Sequence, residues 1–117
     1  MNVQSDAELL ADIETAIHFV QRSNPPQVSH LCCGKLGWVE FVLSAGQRLH
    51  RPALRDWARR RAAGMIAQAA RDGGYRLLPG APDDTANPSL FVGIAGIGYE
   101  MLRLAHPDRL PSVLLFE

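Results

Sequence analysis

A pair of helices, one amphipathic and one apolar nearly all round, occurs twice in this 117-residue chain. A Gly-x-x-Gly element starts each apolar helix, first at Gly34 and Gly37 and again at Gly93 and Gly96. Glycine costs a helix up to about 1 kcal/mol per position, so its repeated use here indicates close approach of backbones. The repeat predicts alternating outer and inner helices, an arrangement typical of a helical solenoid or a closed ring.

The pattern of apolar residues predicts an all-α fold, because no segment alternates regularly enough to require a sheet. Ser5 and Glu8 form a capping box, while Pro52 and Gly73 mark the start and end of a later helix. The apolar tail over 110–116 is expected to pack back on the helices. The four helices are predicted to form two antiparallel hairpins, 6–22 with 33–45 and 51–72 with 91–105.

Composition excludes several function classes. The chain has 12 basic and 12 acidic residues, so long-range attraction to nucleic acid or anionic lipid is not expected. No segment approaches the roughly 18 uninterrupted apolar residues of a spanning helix, and the first residues do not resemble a signal peptide. The prediction is a single cytoplasmic domain with neither nucleic acid nor a membrane as partner.

The two cysteines of the chain are adjacent, Cys32 and Cys33, at the predicted start of the second helix. Adjacent cysteines cannot easily close on each other as a disulfide, and the helix dipole would stabilise their thiolates. Thiolates suit a soft metal such as zinc, although spacing alone leaves open that both are small buried hydrophobes. His30 is either a substitute ligand or a solvated loop histidine, and the second reading is preferred.

Other polar and aromatic residues have two readings each. Trp38 and Tyr99, near the starts of the inner helices, would either face a substrate cavity or pack in the core. The arginines of the third helix indicate either a solvated outer face, which zero net charge favours, or an acidic partner. The remaining histidines, which have no ligand spacing, are expected at the surface: His18, His50 and His106.

Three blocks of the sequence resemble one known family. Residues 30–37, His-Leu-Cys-Cys-Gly-Lys-Leu-Gly, resemble the zinc motif of the lanthionine synthetase C-like proteins, which have Cys-His-Gly or Cys-Cys-Gly there. Residues 87–105 resemble the last inner helix of that family. Residues 106–117 resemble the C-terminal end of class II lanthipeptide synthetases. The resemblance covers essentially the whole chain.

The resemblance implies an α/α toroid of which residues 1–117 form a C-terminal fragment, a partial toroid. Cyclases of the family add a peptide cysteine to dehydroalanine or dehydrobutyrine, giving thioether rings. Zinc lowers the pKa of the substrate thiol, and a general acid protonates the enolate. Carried over by position, Cys32 and Cys33 are two zinc ligands. The implied partner is a precursor peptide with dehydrated Ser/Thr and free cysteine.

The sequence also departs from the family. The family's third zinc-ligand cysteine and its catalytic histidine lie upstream of the Cys-Cys pair, and residues 1–31 contain no matching motif. No catalytic residue is therefore assigned, and the class II dehydratase domain has no counterpart in residues 1–117. We expect an incomplete cyclase that self-associates through an apolar flank including parts of Leu36, Val39 and Leu43. The alternatives are a non-catalytic binding module and a degenerate remnant, associating with itself or a partner synthetase.

Overall fold

The computed structural model describes residues 5–77 and 87–116, which form four helices and no strand. The all-α prediction is therefore confirmed for this part of the chain. None of these helices is both long and apolar enough to cross a membrane. The helices are α1 (Asp6–Arg22), α2 (Lys35–Arg48), α3 (Pro52–Asp72) and α4 (Ile94–Ala105).

The ends of α1 and α3 follow from their capping residues. The Glu8 amide donates to Ser5 Oγ at 3.3 Å, and the Ser5 amide donates to Glu8 Oε2 at 2.8 Å, which completes the predicted capping box. Pro52 occupies the first turn of α3, where the missing N–H costs no hydrogen bond. Gly73 ends α3 with a φ of 83°, in the left-handed region that favours glycine.

The two inner helices begin later than predicted, and for the same reason. Residues 31–33 and residues 90–92 form turns, not helix, so α2 begins at Lys35 and α4 at Ile94. Each helix is preceded by a glycine in extended conformation, Gly34 or Gly93. A Cβ on Gly34 would lie 2.6 Å from the His30 carbonyl oxygen, and one on Gly93 would overlap Asn87 O. The glycines therefore permit a sharp turn directly before each helix.

Helix α2 lies at the centre of the fold, as its uniformly apolar sequence predicts. One core cluster joins α2 to α3 and α4 through residues such as Leu43, Ala62 and Ile97. A second joins α2 to α1 and the start of α3 through Ile17 and Val42, among others. Because α2 contributes to both clusters, it has buried side chains along nearly its whole length.

The predicted pairing of the helices into hairpins is only partly correct. Helices α3 and α4 do contact each other, but the most extensive helix contact is between α2 and α3. Only residues 49–51 connect α2 to α3, and Gly46 lets the α3 backbone approach closely. A Cβ there would lie 2.9 Å from Arg55 Cγ and 3.1 Å from Leu54 Cβ. Close approach and a short connection together bring α2 and α3 into this contact.

The C-terminal tail packs back on the helices as predicted, but in turns at 107–109 and 113–116. Arg103 Nη1 donates to Leu110 O at 2.6 Å and to Pro107 O at 3.3 Å, so the chain curls around its guanidinium. The Tyr99 hydroxyl donates to Pro111 O at 2.7 Å. The tail is thus held by polar contacts as well as by apolar burial.

The predicted exposed flank of α2 is wrong. Leu36, Val39 and Leu43 are at most 2% exposed, because α3 and α4 cover them. The exposed large apolar side chains lie instead on α1, at one position of α3, around the start of α4, on one side of α4 and at the end of the tail. They include Phe19, Ile66, Phe91, Ile94, Leu102 and Phe116.

Candidate functional site

The two thiols lie side by side in the turn over residues 31–33, directly before α2. Both Cys32 and Cys33 are exposed, and neither forms a disulfide. The reading as small buried hydrophobes is therefore wrong. The preceding residue, Leu31, is fully buried in the core. Its side chain anchors the turn to the core, while the two thiols are exposed to solvent.

Backbone hydrogen bonds connect this turn to both halves of the chain. The Cys32 amide donates to Phe91 O at 2.8 Å, which joins the turn before α2 to the turn before α4. The Lys35 amide donates to Val28 O at 2.9 Å. A Cβ on Gly37 would lie 2.7 Å from Leu31 O, so the first turn of α2 closes directly over this backbone. The thiol pair is consequently held by a rigid local framework.

His30 is buried, at 6% exposure, so its preferred reading as a solvated loop histidine is wrong. Its Nδ1 accepts a hydrogen bond from the Cys33 amide at 3.5 Å. The ring therefore stabilises the turn with the nitrogen that faces it. Across residues 5–77 and 87–116, no three His, Cys, Asp or Glu side chains are grouped so that they could hold a metal ion.

The pKa of the Cys33 thiol is raised, which is opposite to the direction that the sequence predicts. A hydrogen bond with the Cys32 side chain, partial desolvation and the charge of Cys32 raise the pKa of the Cys33 thiol. The sequence instead predicted that the helix N-terminus would stabilise both thiolates. The hydrogen bond with Cys32 is the largest of these contributions and favours the protonated Cys33 thiol, and the negative charge of Cys32 opposes a second thiolate beside it. A cation bound between them would remove this repulsion.

The other singled-out residues lie away from the thiols or have structural partners. His18, His50 and His106 are exposed, as predicted. Trp38 packs against Phe19 with ring centroids 5.8 Å apart, and the Tyr99 hydroxyl is bound to the tail.

A buried polar network between α2 and α4 was missed by the sequence analysis. Arg103 Nε donates to both carboxylate oxygens of Glu40, at 3.0 and 2.9 Å, and its Nη2 donates to Gln47 Oε1 at 2.8 Å. Ser44 Oγ donates to Glu40 at 2.6 Å. The available indication was the occurrence of charged residues within two otherwise apolar helices.

Glu100 lies in the same interior beside Glu40. Burial, a hydrogen bond to Glu40 and the charge of Glu40 raise the pKa of Glu100 to about 10. Neither Glu100 oxygen has a hydrogen bond of ordinary geometry within the described chain, so its contact with Glu40 is a loose one. Burial opposes charge on Glu40 as well, but hydrogen bonds from Glu100, Arg103, Ser44 and Ser112 lower the pKa of Glu40 overall. The pair therefore contains one carboxylate and one neutral acid.

Comparison with known proteins agrees with the sequence resemblance. A family model described as lanthionine synthetase C-like protein matches residues 2–115. The chain belongs to the lanthionine synthetase C-like family. Comparisons with curated proteins and with solved structures gave no significant match.

The match to the lanthionine synthetase C-like family covers both glycine-rich turns, the one before α2 and the one before α4. The match includes the Cys32-Cys33 turn and the whole of α4, the two parts joined by the Cys32–Phe91 hydrogen bond. Assignment to class II and to the Cys-Cys-Gly type stays a prediction from the sequence. The toroid also stays a prediction. The four described helices are consistent with part of a toroid but do not form a closed ring.

Proposed function

We propose that this chain is the thiol-bearing C-terminal segment of a lanthionine cyclase, with Cys32 and Cys33 as two of its zinc ligands. The third protein ligand would come from outside the described residues, and no residue of this chain is assigned as catalytic. The substrate is a precursor peptide with dehydrated Ser/Thr residues and a free cysteine. Such an enzyme closes thioether rings by adding the cysteine sulfur to the dehydrated residue.

The observation that carries the proposal is the exposure of two adjacent thiols on a fixed turn. Buried cysteines would be inert, and flexible ones would have to be ordered by the metal at an entropic cost. Here Leu31 is buried, the Cys32 amide is bound to Phe91 O, and both sulfurs face outwards. Family membership over residues 2–115 supports the same assignment.

The donor set fits part of a zinc shell. Zinc accepts thiolate ligands in tetrahedral sites, and three protein ligands leave one position open for a substrate. Two thiols account for two of those positions, and zinc bound there would lower the pKa of a substrate thiol. This chain's own residues position the two ligands, because His30 and the Phe91 carbonyl hold the turn from two sides.

Metal titration of the purified chain tests the ligand assignment. Cobalt(II) is the probe, because thiolate coordination gives a charge-transfer absorption whose intensity rises with the number of sulfur ligands. We expect this absorption in the parent chain and its loss in Cys32→Ser and in Cys33→Ser, since removal of one ligand from an incomplete shell abolishes binding. His18→Gln, at an exposed position of α1 away from the thiol turn, is the control and should retain the absorption. Zinc content unchanged in Cys33→Ala would place the metal elsewhere and contradict the proposal.

The proposal also implies that the chain alone does not cyclise a dehydrated peptide at an enzymatic rate. The missing ligand and missing general acid remove the advantage of positioned reactants. Thiol loss in a dehydrated precursor, measured by alkylation and mass spectrometry, should match the protein-free control. Ring formation well above that control, and lost in Cys32→Ala, would contradict the incomplete-site proposal.

The alternative is a non-catalytic binding module of the same family. The observation that favours it is the lack of a three-ligand group among the described residues. Retained peptide binding without any cobalt absorption would support this alternative over a zinc-bearing segment.

A further inference from the structure

A groove of about 400 Å³ lies between the end of α1, the start of α2 and the middle of α3. Both tryptophans of the chain, Trp38 and Trp57, line it, and Val39 and Met65 contribute apolar surface. Neither cysteine is among the residues that line the groove. The groove is therefore a candidate binding site separate from the two thiols.

The charged residues of the groove are all basic. Lys35, Arg60 and Arg61 line it, and no acidic side chain does so within the described residues. None of the three forms an ion pair with a described residue. The Arg61 guanidinium carbon instead lies 5.0 Å from the centroid of the Trp57 ring. Net charge is zero for the whole chain, so this concentration of positive charge is local.

Gly64 provides a second and independent indication. It lies in the middle of α3 and lines the groove, and a Cβ added there would contact nothing within 4 Å. No helix packing therefore requires a glycine, although glycine in a helix interior costs about 1 kcal/mol relative to alanine. Its effect is to keep the floor of the groove free of a side chain.

The groove continues into a polar lobe of about 190 Å³ along the same side of α3. The two lobes share Lys35, Met65 and Gln68. Polar side chains line the second lobe, including Gln27 and Asp72, whose carboxylate accepts a hydrogen bond from Gln68 Nε2 at 2.8 Å. An elongated groove with one aromatic, cationic lobe and one polar lobe suits an extended chain better than a compact anion.

We propose that this groove binds an acidic peptide segment that carries an apolar side chain. Acidic side chains would pair with Lys35, Arg60 and Arg61, while the apolar side chain would contact Trp38 and Trp57. A phosphate would use the charges but leave the apolar surface uncovered. The proposal does not depend on zinc binding, because none of these residues is a proposed metal ligand.

Intrinsic fluorescence provides a direct readout, since both tryptophans line the groove. The probe is an acetylated, amidated hexapeptide of Asp-Glu pairs separated by leucines, titrated into the full chain. We expect saturable binding that weakens with salt. A peptide with Asn and Gln in place of the acids, and one with Ser in place of leucine, should each bind about tenfold or more weakly. Inorganic phosphate that competes as well as the peptide would overturn the proposal in favour of an anion site.

Four substitutions test whether the peptide binds in this groove. Arg60→Glu should weaken peptide binding about tenfold, while Arg109→Glu, an equal charge change at an exposed site outside the groove, should change it less than about twofold. Gly64→Gln fills the groove without changing charge and should also weaken binding. An equal loss of peptide affinity in Arg60→Glu and Arg109→Glu would overturn the proposal, as would unchanged peptide affinity in Gly64→Gln. Cys32→Ser should bind normally, which separates this result from failure of the proposed zinc site.

Discussion

Arg103 Nε lies 2.9 Å from Glu40 Oε2, and both side chains are at most 3% exposed. This ion pair connects the two inner helices, α2 and α4, inside the apolar core. The same guanidinium donates hydrogen bonds to the carbonyl oxygens of Pro107 and Leu110. Arg103 on α4 therefore connects its own helix to α2 and to the C-terminal tail. Removing either member would leave the other charge buried without its partner.

Arg103→Leu should therefore destabilise the chain by about 3–5 kcal/mol, since breaking a buried pair leaves an uncompensated charge. The measurement is urea denaturation followed by circular dichroism. Arg51→Leu is the matched control, because Arg51 pairs with Glu14 at a site where both side chains are at least 40% exposed. That change should cost less than about 1 kcal/mol. Equal losses for the two variants would contradict the structural role of Arg103.

Stability should fall as the pH rises from about 4.5 towards 10, because of Glu100. With its pKa raised, the folded chain keeps a proton that the unfolded chain releases, so the contribution is fully present below 4.5 and lost by about 10. The slope is on the order of 1 kcal/mol per pH unit at most. The lowered pKa of Glu40 acts in the opposite sense, and its contribution is lost as the solution is acidified below its usual range.

Glu100→Gln removes this titration while preserving shape, so its stability should change less between pH 6 and pH 9. Denaturation midpoints across that range provide the measurement. Asp108→Asn, at an exposed turn residue, is the control for loss of one carboxylate and should keep the parent slope. An unchanged slope in Glu100→Gln would show that Glu100 is ionised in the folded chain.

Two glycines of α4 that are separated by a single residue, Gly96 and Gly98, should respond oppositely to alanine. A Cβ on Gly96 would overlap the Leu90 carbonyl oxygen, whereas one on Gly98 would contact nothing within 4 Å. We expect Gly98→Ala to stabilise the chain by about 0.5–1 kcal/mol through helix propensity. Gly96→Ala should destabilise it by at least about 1–3 kcal/mol, since the backbone of the preceding turn would have to move. The thermal unfolding temperature of both variants provides the measurement. A lower value for Gly96→Ala and a higher value for Gly98→Ala would distinguish close backbone packing from helix propensity.

Self-association is expected through the exposed side of α4, not through α2. Ile94 and Leu102 are 49% and 58% exposed there, and Phe91 lies next to the helix start at 41%. Exposed apolar side chains concentrated on one side favour association. Size-exclusion chromatography with light scattering should show association that decreases in Leu102→Gln but persists in Leu9→Gln on α1. A monomer at high concentration would contradict this expectation.

Much of the fold was predictable because local sequence determines it. The Ser5–Glu8 capping box, Pro52 and Gly73 fix helix ends through local hydrogen bonds and backbone preferences, and the predicted bounds of α1 and α3 agree with the structure to within one residue. The starts of α2 and α4 were placed too early. Apolar residues before Gly34 and Gly93 continue the helical pattern, while contacts between distant turns hold them out of helix.

The candidate site was less predictable, for reasons of long-range geometry. Sequence identified Cys32 and Cys33 but gave no sign that Phe91 O would bind the Cys32 amide, or that His30 would be buried beside them. Glu40 and Arg103 lie in different repeats, so their pairing depends on how α2 and α4 cross. Exposure of the thiols depends in turn on Leu31, whose burial is a property of the whole core.

The Cys32–Phe91 hydrogen bond also bears on how such a chain can evolve. The two repeats have similar sequence patterns, and a duplicated unit can ordinarily diverge or be exchanged independently of its copy. Here the turn that carries the thiols in one repeat rests on a carbonyl group of the other. Because donor and acceptor are both backbone groups, the bond depends on where the second repeat places its turn, so a recombinant chain would keep the thiol turn in place only if it kept the packing of one repeat against the other.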